Sequence, residues 1–188
     1  MRVRTVRNPK AGLALLAAAG LALLTAVPAD AATTTVTFTL TGGALTITAP
    51  ATANLGTAAV GTATLSGSLG AVTVTDARGA LLGTWTAKVF STNFTTGGGT
   101  ANETIAASAV NYASLTATST TGTAVFTPGQ ATLGLAAPLG TTAPGLTAFS
   151  ATAIVGNNSA TWNPTLVVNI PAAAVAGTYT GTVTHSVA

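Results

Sequence analysis

The stretch Val72-Thr73-Val74-Thr75-Asp76 alternates apolar residues with threonines, and this alternation decides the fold of the chain. Side chains point to opposite faces along a β-strand, so the stretch has one hydrocarbon face and one hydroxyl face. The sequence contains forty threonines, most of them in similar alternating runs. The pattern predicts strands that bury one side only.

Further runs of this kind predict a chain built almost entirely of strands. They occupy residues 36–40, 45–48, 63–65, 85–90, 113–117, 123–126, 146–152, 162–170 and 179–187. Residues 36–48 have the pattern of a β-hairpin that turns at Thr41-Gly42-Gly43. Residues 171–176 fit either one helical turn or a corner, and residues 127–144 have the composition of an irregular insertion. The sequence predicts an all-β, antiparallel, immunoglobulin-like β-sandwich forming a single domain over residues 32–188.

The N-terminus has the three-part layout of a secretory signal peptide. Four basic residues within positions 1–10 precede an apolar run at 11–24 and an A-x-A pattern at Ala29-Asp30-Ala31. The apolar run is shorter than the roughly twenty residues that cross a bilayer, so we expect cleavage after Ala31 and no stable membrane span. The sequence ends without a hydrophobic tail or a sorting pentapeptide, so any attachment to a surface is expected to be noncovalent.

Charge is nearly absent beyond residue 31. Only Asp76, Arg78, Lys88 and Glu103 carry it, and they sum to zero. A neutral chain without a basic patch cannot gain affinity for nucleic acid by releasing counterions, so nucleic-acid binding is excluded. The chain has no cysteine and one histidine, which provides no metal ligand set, and we expect neither a metal nor a cofactor.

The single histidine, His185, falls on the apolar side of the last alternating run. Tyr179, Gly181, Val183 and Val187 share its face. A neutral imidazole that fills the core is the favoured interpretation, and a general base acting on a serine is the alternative. No Gly-x-Ser-x-Gly elbow is present, so we do not expect an enzyme.

The remaining candidate residues have structural and functional interpretations. Asp76 and Arg78 stand two apart and point to the same side, so they are expected either to pair with each other or to cap the following turn at Gly79. The aromatic residues Trp85, Trp162 and Tyr179 lie on apolar faces, where they either fill the core or stack on a sugar ring at an edge.

Two motifs in this sequence resemble those of WxL-type surface domains secreted by Gram-positive bacteria. Asp76-Ala77-Arg78-Gly79 followed by Trp85-Thr86-Ala87 resembles the family's D-x-R-G turn and Trp-x-Leu strand. The closing run of Tyr179, Gly181, Val183, His185 and Val187 is similar in spacing to the family's second motif, Y-x-A-x-L-x-W-x-L. The resemblance covers residues 69–188. Ala87 stands where the family has leucine, and His185 stands where it has the distal tryptophan.

The resemblance implies a β-rich domain that associates noncovalently with peptidoglycan, with the residues of both motifs as the candidate wall-binding set. The first hypothesis is therefore a secreted, noncatalytic surface protein that is extracellular or bound to the cell wall, with the wall polymer or other surface proteins as partners. The alternative is a structural subunit that self-associates through exposed strand edges, which almost no charges guard. A hydrolase that uses His185 is the third hypothesis.

Overall fold

The structure, a computed structural model, describes residues 32–188. The predicted signal peptide, residues 1–31, lies outside the described residues. Every strand lies in the compact unit Thr39–Ala188. The strands are β1 Leu45–Thr48, β2 Thr64–Ser68, β3 Val72–Asp76, β4 Leu81–Ser91, β5 Phe94–Thr95, β6 Thr104–Ile105, β7 Val110–Ala113, β8 Ala117–Pro128, β9 Ala137–Pro138, β10 Leu146–Trp162, β11 Thr165–Asn169 and β12 Val183–Val187. Short 3-10 helices cover Ala101–Glu103, Ala107–Ala109 and Leu133–Leu135.

The larger sheet is organised around the seventeen-residue strand β10. On one side β10 pairs with β8 along residues 149–162. On the other side it pairs with β4 through residues 146–155 and with β3 through residues 158–162, so β3 and β4 follow each other along the same line. β1 pairs with β3, and β12 pairs with β4. All these pairings are antiparallel.

The smaller sheet has the order β2-β11-β7-β9 and packs against the larger one. Their inner faces share one buried cluster, which includes Val72 and Val74 from the larger sheet and Tyr112 and Leu166 from the smaller one. β5 and β6 form a separate two-stranded sheet. The described chain is therefore all-β and antiparallel with a β-sandwich-like fold, and the coarse fold prediction is confirmed.

The burial pattern follows the alternation of the sequence. In β3 the apolar residues Val72 and Val74 are fully buried, whereas Thr75 between Val74 and Asp76 is exposed. In β4 the residues Trp85, Ala87 and Val89 are buried, and Lys88 lies on the opposite face. One hydrocarbon face and one polar face per strand are what a two-layer packing requires.

Three local predictions need correction. Residues 36–40 form no strand, so the hairpin of residues 36–48 is absent, and β1 pairs with β3 instead. The last strand begins at Val183 rather than at residue 179. Residues 127–144 are not wholly irregular, because they contain the end of β8, a 3-10 helix and the short strand β9. Of the two alternatives for residues 171–176, the structure agrees with the corner, because the segment contains a turn and no helix. No helix among residues 32–188 combines the length and apolar character needed to cross a membrane.

Gly122 allows the long strand β8 to follow β10 across an irregularity. The pairing shifts register between Val155 and Ser159, opposite Gly122. Gly122 has φ +76°, and a Cβ at this position would collide with the backbone oxygen of Asn157. Glycine fits here because it has no Cβ and tolerates the left-handed region.

Two neighbouring substitutions in β3 test which face of this strand is buried. Val74→Asp should lower the free energy of unfolding by about 3 kcal/mol or more, because it places an unpaired charge in the core. Thr75→Asp should lower it by less than about 1 kcal/mol, because residue 75 faces water. Chemical denaturation measures both values, and equal losses at the two positions would contradict the assigned faces.

Candidate functional site

The predicted ion pair of the first motif is present, and its carboxylate is buried. Asp76 at the end of β3 is 0% exposed, and its Oδ1 accepts hydrogen bonds from Arg78 Nε at 2.8 Å and from the Arg78 backbone N–H at 3.1 Å. Asp76 Oδ2 accepts from Arg78 Nη2 at 3.0 Å. Arg78 Nη2 also donates to the backbone oxygen of Thr84 at 2.8 Å, which ties the start of β4 to the end of β3.

Asn158 of β10 connects this ion pair to Trp85. Its Nδ2 donates to Asp76 Oδ2 at 3.2 Å, and its Oδ1 accepts from Trp85 Nε1 at 2.9 Å. A tryptophan N–H can only donate, so the amide must present its oxygen to Trp85 and its nitrogen to the carboxylate. The four side chains form one network across β3, β4 and β10, which we call the Asp76 network: Asp76, Arg78, Trp85 and Asn158.

The network favours the charged form of its carboxylate. The Arg78 guanidinium is the main cause that holds the pKa of Asp76 below its usual value, and the Arg78 backbone N–H and Asn158 add to the effect, while burial opposes it. The same interaction raises the pKa of Arg78. Both groups therefore stay charged, and neither is available as a proton donor or acceptor near neutral pH.

The aromatic residues form a continuous row through the core. Ring centroids are separated by 6.3 Å for Phe126 and Trp85, by 6.4 Å for Trp85 and Phe149, and by 4.9 Å for Phe149 and Trp162. Trp85 is 1% exposed and Trp162 is 0% exposed. Of the two interpretations of the tryptophans, their burial supports packing rather than stacking on an external sugar.

Tyr112 connects His185 to the end of this row at Trp162. Trp162 Nε1 donates to the Tyr112 hydroxyl at 3.0 Å, and that hydroxyl lies 3.1 Å from His185 Nε2. The Tyr112 hydroxyl accepts from Trp162, so its own proton is satisfied when it is directed at His185 Nε2. In a neutral imidazole, this direction of the hydrogen bond corresponds to the tautomer with its proton on Nδ1.

Burial alters the pKa values of both residues in this contact. It lowers the pKa of His185 to about 4 and raises the pKa of Tyr112. His185 contributes to the wall of a groove of about 370 Å³ that is also lined by residues 49–53, Leu55, Phe94 and Leu166. The hydrogen-bond partner that the structure gives His185 is a tyrosine, not a serine.

The structure places the two motifs of the candidate wall-binding set on the paired strands β4 and β12, but their side chains have different surroundings. Asp76, Arg78 and Trp85 meet in the Asp76 network, with Gly79 in the adjoining turn at φ +65°. Thr86 and Ala87 continue β4, where Ala87 is buried. From the closing run, Gly181, Val183 and His185 border the groove. Val187 pairs with Ala87, and the Tyr179 hydroxyl donates to backbone oxygens of Asn102 and Val175.

Asn158 and Tyr112 were missed by the sequence analysis, although each holds a central hydrogen bond. The sequence signal that could have identified Asn158 is an asparagine at a core position of β10, because a buried amide group requires hydrogen-bond partners. Among residues 32–188, no group of three or more His, Cys, Asp or Glu side chains is placed to hold a metal ion.

The outer face of the larger sheet carries an ordered array of hydroxyl groups. Across β1, β3, β10 and β8, one row aligns Thr46, Thr75, Ser159 and Thr121, and the next row aligns Thr48, Thr73, Thr161 and Ser119. We call these eight residues the hydroxyl grid. The hydroxyls of Thr73 and Thr161 lie 2.9 Å apart, and those of Thr121 and Ser159 lie 2.7 Å apart.

The grid residues are exposed or half-buried, and their neighbours in β3 and β10 are core residues. Each hydroxyl can donate one hydrogen bond and accept two, so the face offers many weak polar contacts without charge. Neighbouring strands lie about 4.8 Å apart, which sets the spacing of hydroxyls along each row. Such a face suits an extended ligand that is itself rich in hydroxyl and amide groups.

Comparison of the sequence with models of protein families found no match, and comparisons with curated proteins and with solved structures found none either. The site is therefore interpreted from its own geometry.

Asp76→Asn tests whether the Asp76 network stabilises the fold. The substitution leaves Arg78 without its anionic partner, and we expect the free energy of unfolding to fall by about 2 to 3 kcal/mol. Chemical denaturation measures this loss. Glu103→Gln is the control, because glutamine at this capping position keeps an acceptor oxygen for Thr100, and it should leave the denaturation midpoint nearly unchanged. An Asp76→Asn protein as stable as the wild type would contradict the structural role of the network.

The partly buried His185 predicts a loss of stability in mild acid. The pKa of histidine is about 6.5 in the unfolded chain and about 4 in the fold, so the unfolded chain binds the proton first as the pH falls. Stability should therefore decline between pH 6.5 and pH 4 by up to about 3 kcal/mol. His185→Gln should remove the decline between pH 6.5 and pH 5, where Asp76 and Glu103 remain ionised because their pKa values are lowered. Denaturation curves across this range measure the effect, and an unchanged decline in His185→Gln would contradict it.

Proposed function

We propose that this chain is an exported, noncatalytic surface protein that is held at the cell wall by noncovalent contacts with peptidoglycan. The observation that carries the proposal is the hydroxyl grid, a neutral polar face spanning four strands. The signal-peptide pattern, the balance of charge beyond residue 31 and the resemblance to WxL-type domains support it. Assignment of the sandwich to the immunoglobulin-like class is part of the same proposal.

The proposed contact surface is the outer face of the sheet rather than the tryptophan of the first motif. Trp85 is buried and donates its N–H to Asn158, so its ring cannot reach a polymer unless the sandwich opens. Peptidoglycan glycans carry hydroxyl and acetamido groups at regular intervals. Hydroxyls on a neutral sheet can bind such groups through many hydrogen bonds that depend little on salt.

The noncatalytic part of the proposal follows from how the few ionisable groups are engaged. Asp76 and Arg78 neutralise each other. Glu103 accepts hydrogen bonds from the backbone N–H and the hydroxyl of Thr100. Lys88 donates to Thr147. Each of these groups has a structural partner, and the lowered pKa of His185 makes it a weak base.

A second candidate function, self-association into a structural surface layer or fibre, is favoured by a specific observation. The long strand β8 lies at the edge of the larger sheet and contains no charged residue. Proteins usually protect such edges with lysine, proline or a covering segment.

Sedimentation with purified peptidoglycan tests the first proposal. The chain 32–188 should pellet with the polymer. Replacing Thr73, Thr75 and Thr161 by valine and Ser159 by alanine should weaken binding at least about tenfold, because several hydrogen bonds of about 1 kcal/mol each are lost while strand propensity is kept.

Matched controls separate the grid from a general loss of hydroxyls. Thr64→Val combined with Ser66→Ala changes exposed positions of β2 on the smaller sheet and should leave binding unchanged. Trp85→Phe should also bind like the wild type, because residue 85 lies inside. A wild-type protein that stays in the supernatant, or a grid variant that pellets equally well, would refute wall binding through this face.

A further inference from the structure

Residues 33–40 have the alternation of a strand but form none. Val36, Phe38 and Leu40 are 80%, 83% and 88% exposed, with Thr37 and Thr39 between them. Three large apolar side chains at alternate positions are therefore exposed to water, which is unfavourable because their hydrocarbon surface is not buried. A segment of this kind can gain backbone partners and apolar burial together when it adds to the edge of a sheet.

The edge strand β8 offers the longest acceptor for such a segment. Among the strands of residues 32–188, β8 has twelve residues and pairs only with β10, so its outer edge, the one facing away from β10, is unpaired. The other strands at sheet edges, β1, β2, β5, β6, β9 and β12, have 4, 5, 2, 2, 2 and 5 residues. Only β8 is long enough to pair with the whole of residues 33–40.

The apolar inner face of the sheet also continues to this edge. Phe126 of β8 is half-buried and contacts the core beside Trp85, and Ala124 is packed against the same cluster. On the opposite face of this part of β8, Val125 is 58% exposed. A strand added beyond β8 with its apolar side chains facing inward would cover Phe126 and extend the core by one strand.

Charge does not oppose the contact. Neither residues 33–40 nor β8 contains a charged side chain. Lysines at a sheet edge normally prevent the pairing of one molecule with another, and this edge has none. The alternating threonines of the segment would face water, as the threonines of the sheet do.

We propose that residues 33–40 of one copy add as a strand to the outer edge of β8 in a second copy. Each copy then donates one segment and accepts another, so the contact is heterologous and generates open chains or closed rings. This deepens the self-association described above as the second candidate function and rests on it. Binding to peptidoglycan through the hydroxyl grid can fail without affecting it.

The chain 32–188 contains the complete compact unit with all described strands, and its sedimentation velocity tests the donor segment. The wild type should form species larger than the monomer, increasingly so at higher concentration. The triple variant Val36→Thr, Phe38→Thr, Leu40→Thr should sediment as a monomer. The matched control Thr35→Ser, Thr37→Ser, Thr39→Ser changes the same segment without removing apolar surface, and it should associate like the wild type.

A free peptide and a pair of lysines test the acceptor edge. An excess of a synthetic peptide of residues 32–41 should occupy β8 and convert wild-type assemblies into monomers, whereas the same peptide with the three threonine substitutions should not. Thr123→Lys combined with Thr127→Lys should block association by placing charge along β8. The circular dichroism spectrum of every variant should match that of the folded wild type.

Three results would overturn the proposal. The first is a wild-type protein that is monomeric at all concentrations. The second is association that persists in the triple donor variant, which would point to direct pairing of two β8 edges instead. The third is an assembly that survives both the free peptide and the lysine substitutions on β8. Because no peptidoglycan is present in these experiments, their outcome is independent of wall binding.

Discussion

The buried carboxylate of Asp76 imposes the constraint on which the larger sheet depends. A charge inside an apolar sandwich is stable only if its hydrogen-bonding capacity is filled, and here Arg78 and Asn158 fill it. These partners come from the turn after β3 and from β10, and Asn158 in turn fixes the ring of Trp85 on β4. The network thus adds side-chain hydrogen bonds to the backbone pairing that places β3 and β4 in line along one side of β10.

The position of this network changes the meaning of the sequence motifs. Asp76, Arg78 and Trp85 of the first motif are engaged in one hydrogen-bonded network, and the proposed recognition therefore involves the sheet surfaces instead. None of the eight residues of the hydroxyl grid is charged, so the proposed interactions are made by hydroxyl groups and strand edges. The hydroxyl grid and the outer edge of β8 both occur on the same sheet, so a polymer of this protein would display the grid repeatedly. Repetition converts weak contacts into a strong attachment.

Sequence patterns correctly predicted those features that depend on a single strand, such as which of its side chains share a face. The buried side of β3 and the position of Asp76 and Arg78 on one side both follow from the alternation of side chains along a strand. The prediction failed for residues 36–40, where the same alternation is present but none of the strands in residues 32–188 pairs with the segment. Alternation indicates that a segment can form a strand, but it forms one only where a neighbouring strand is available for backbone pairing.

The sequence by itself determined an all-β chain with hydrocarbon on one side of each strand and hydroxyls on the other, because the two-residue period of a strand acts within each segment. Only the tertiary structure decided which strands are neighbours. Asn158 next to Asp76, the Tyr112 hydroxyl next to His185, and the alignment of threonines from four strands into the hydroxyl grid all join residues far apart in sequence. Such contacts depend on the register between strands, and register arises from the packing of the whole sandwich rather than from any single segment.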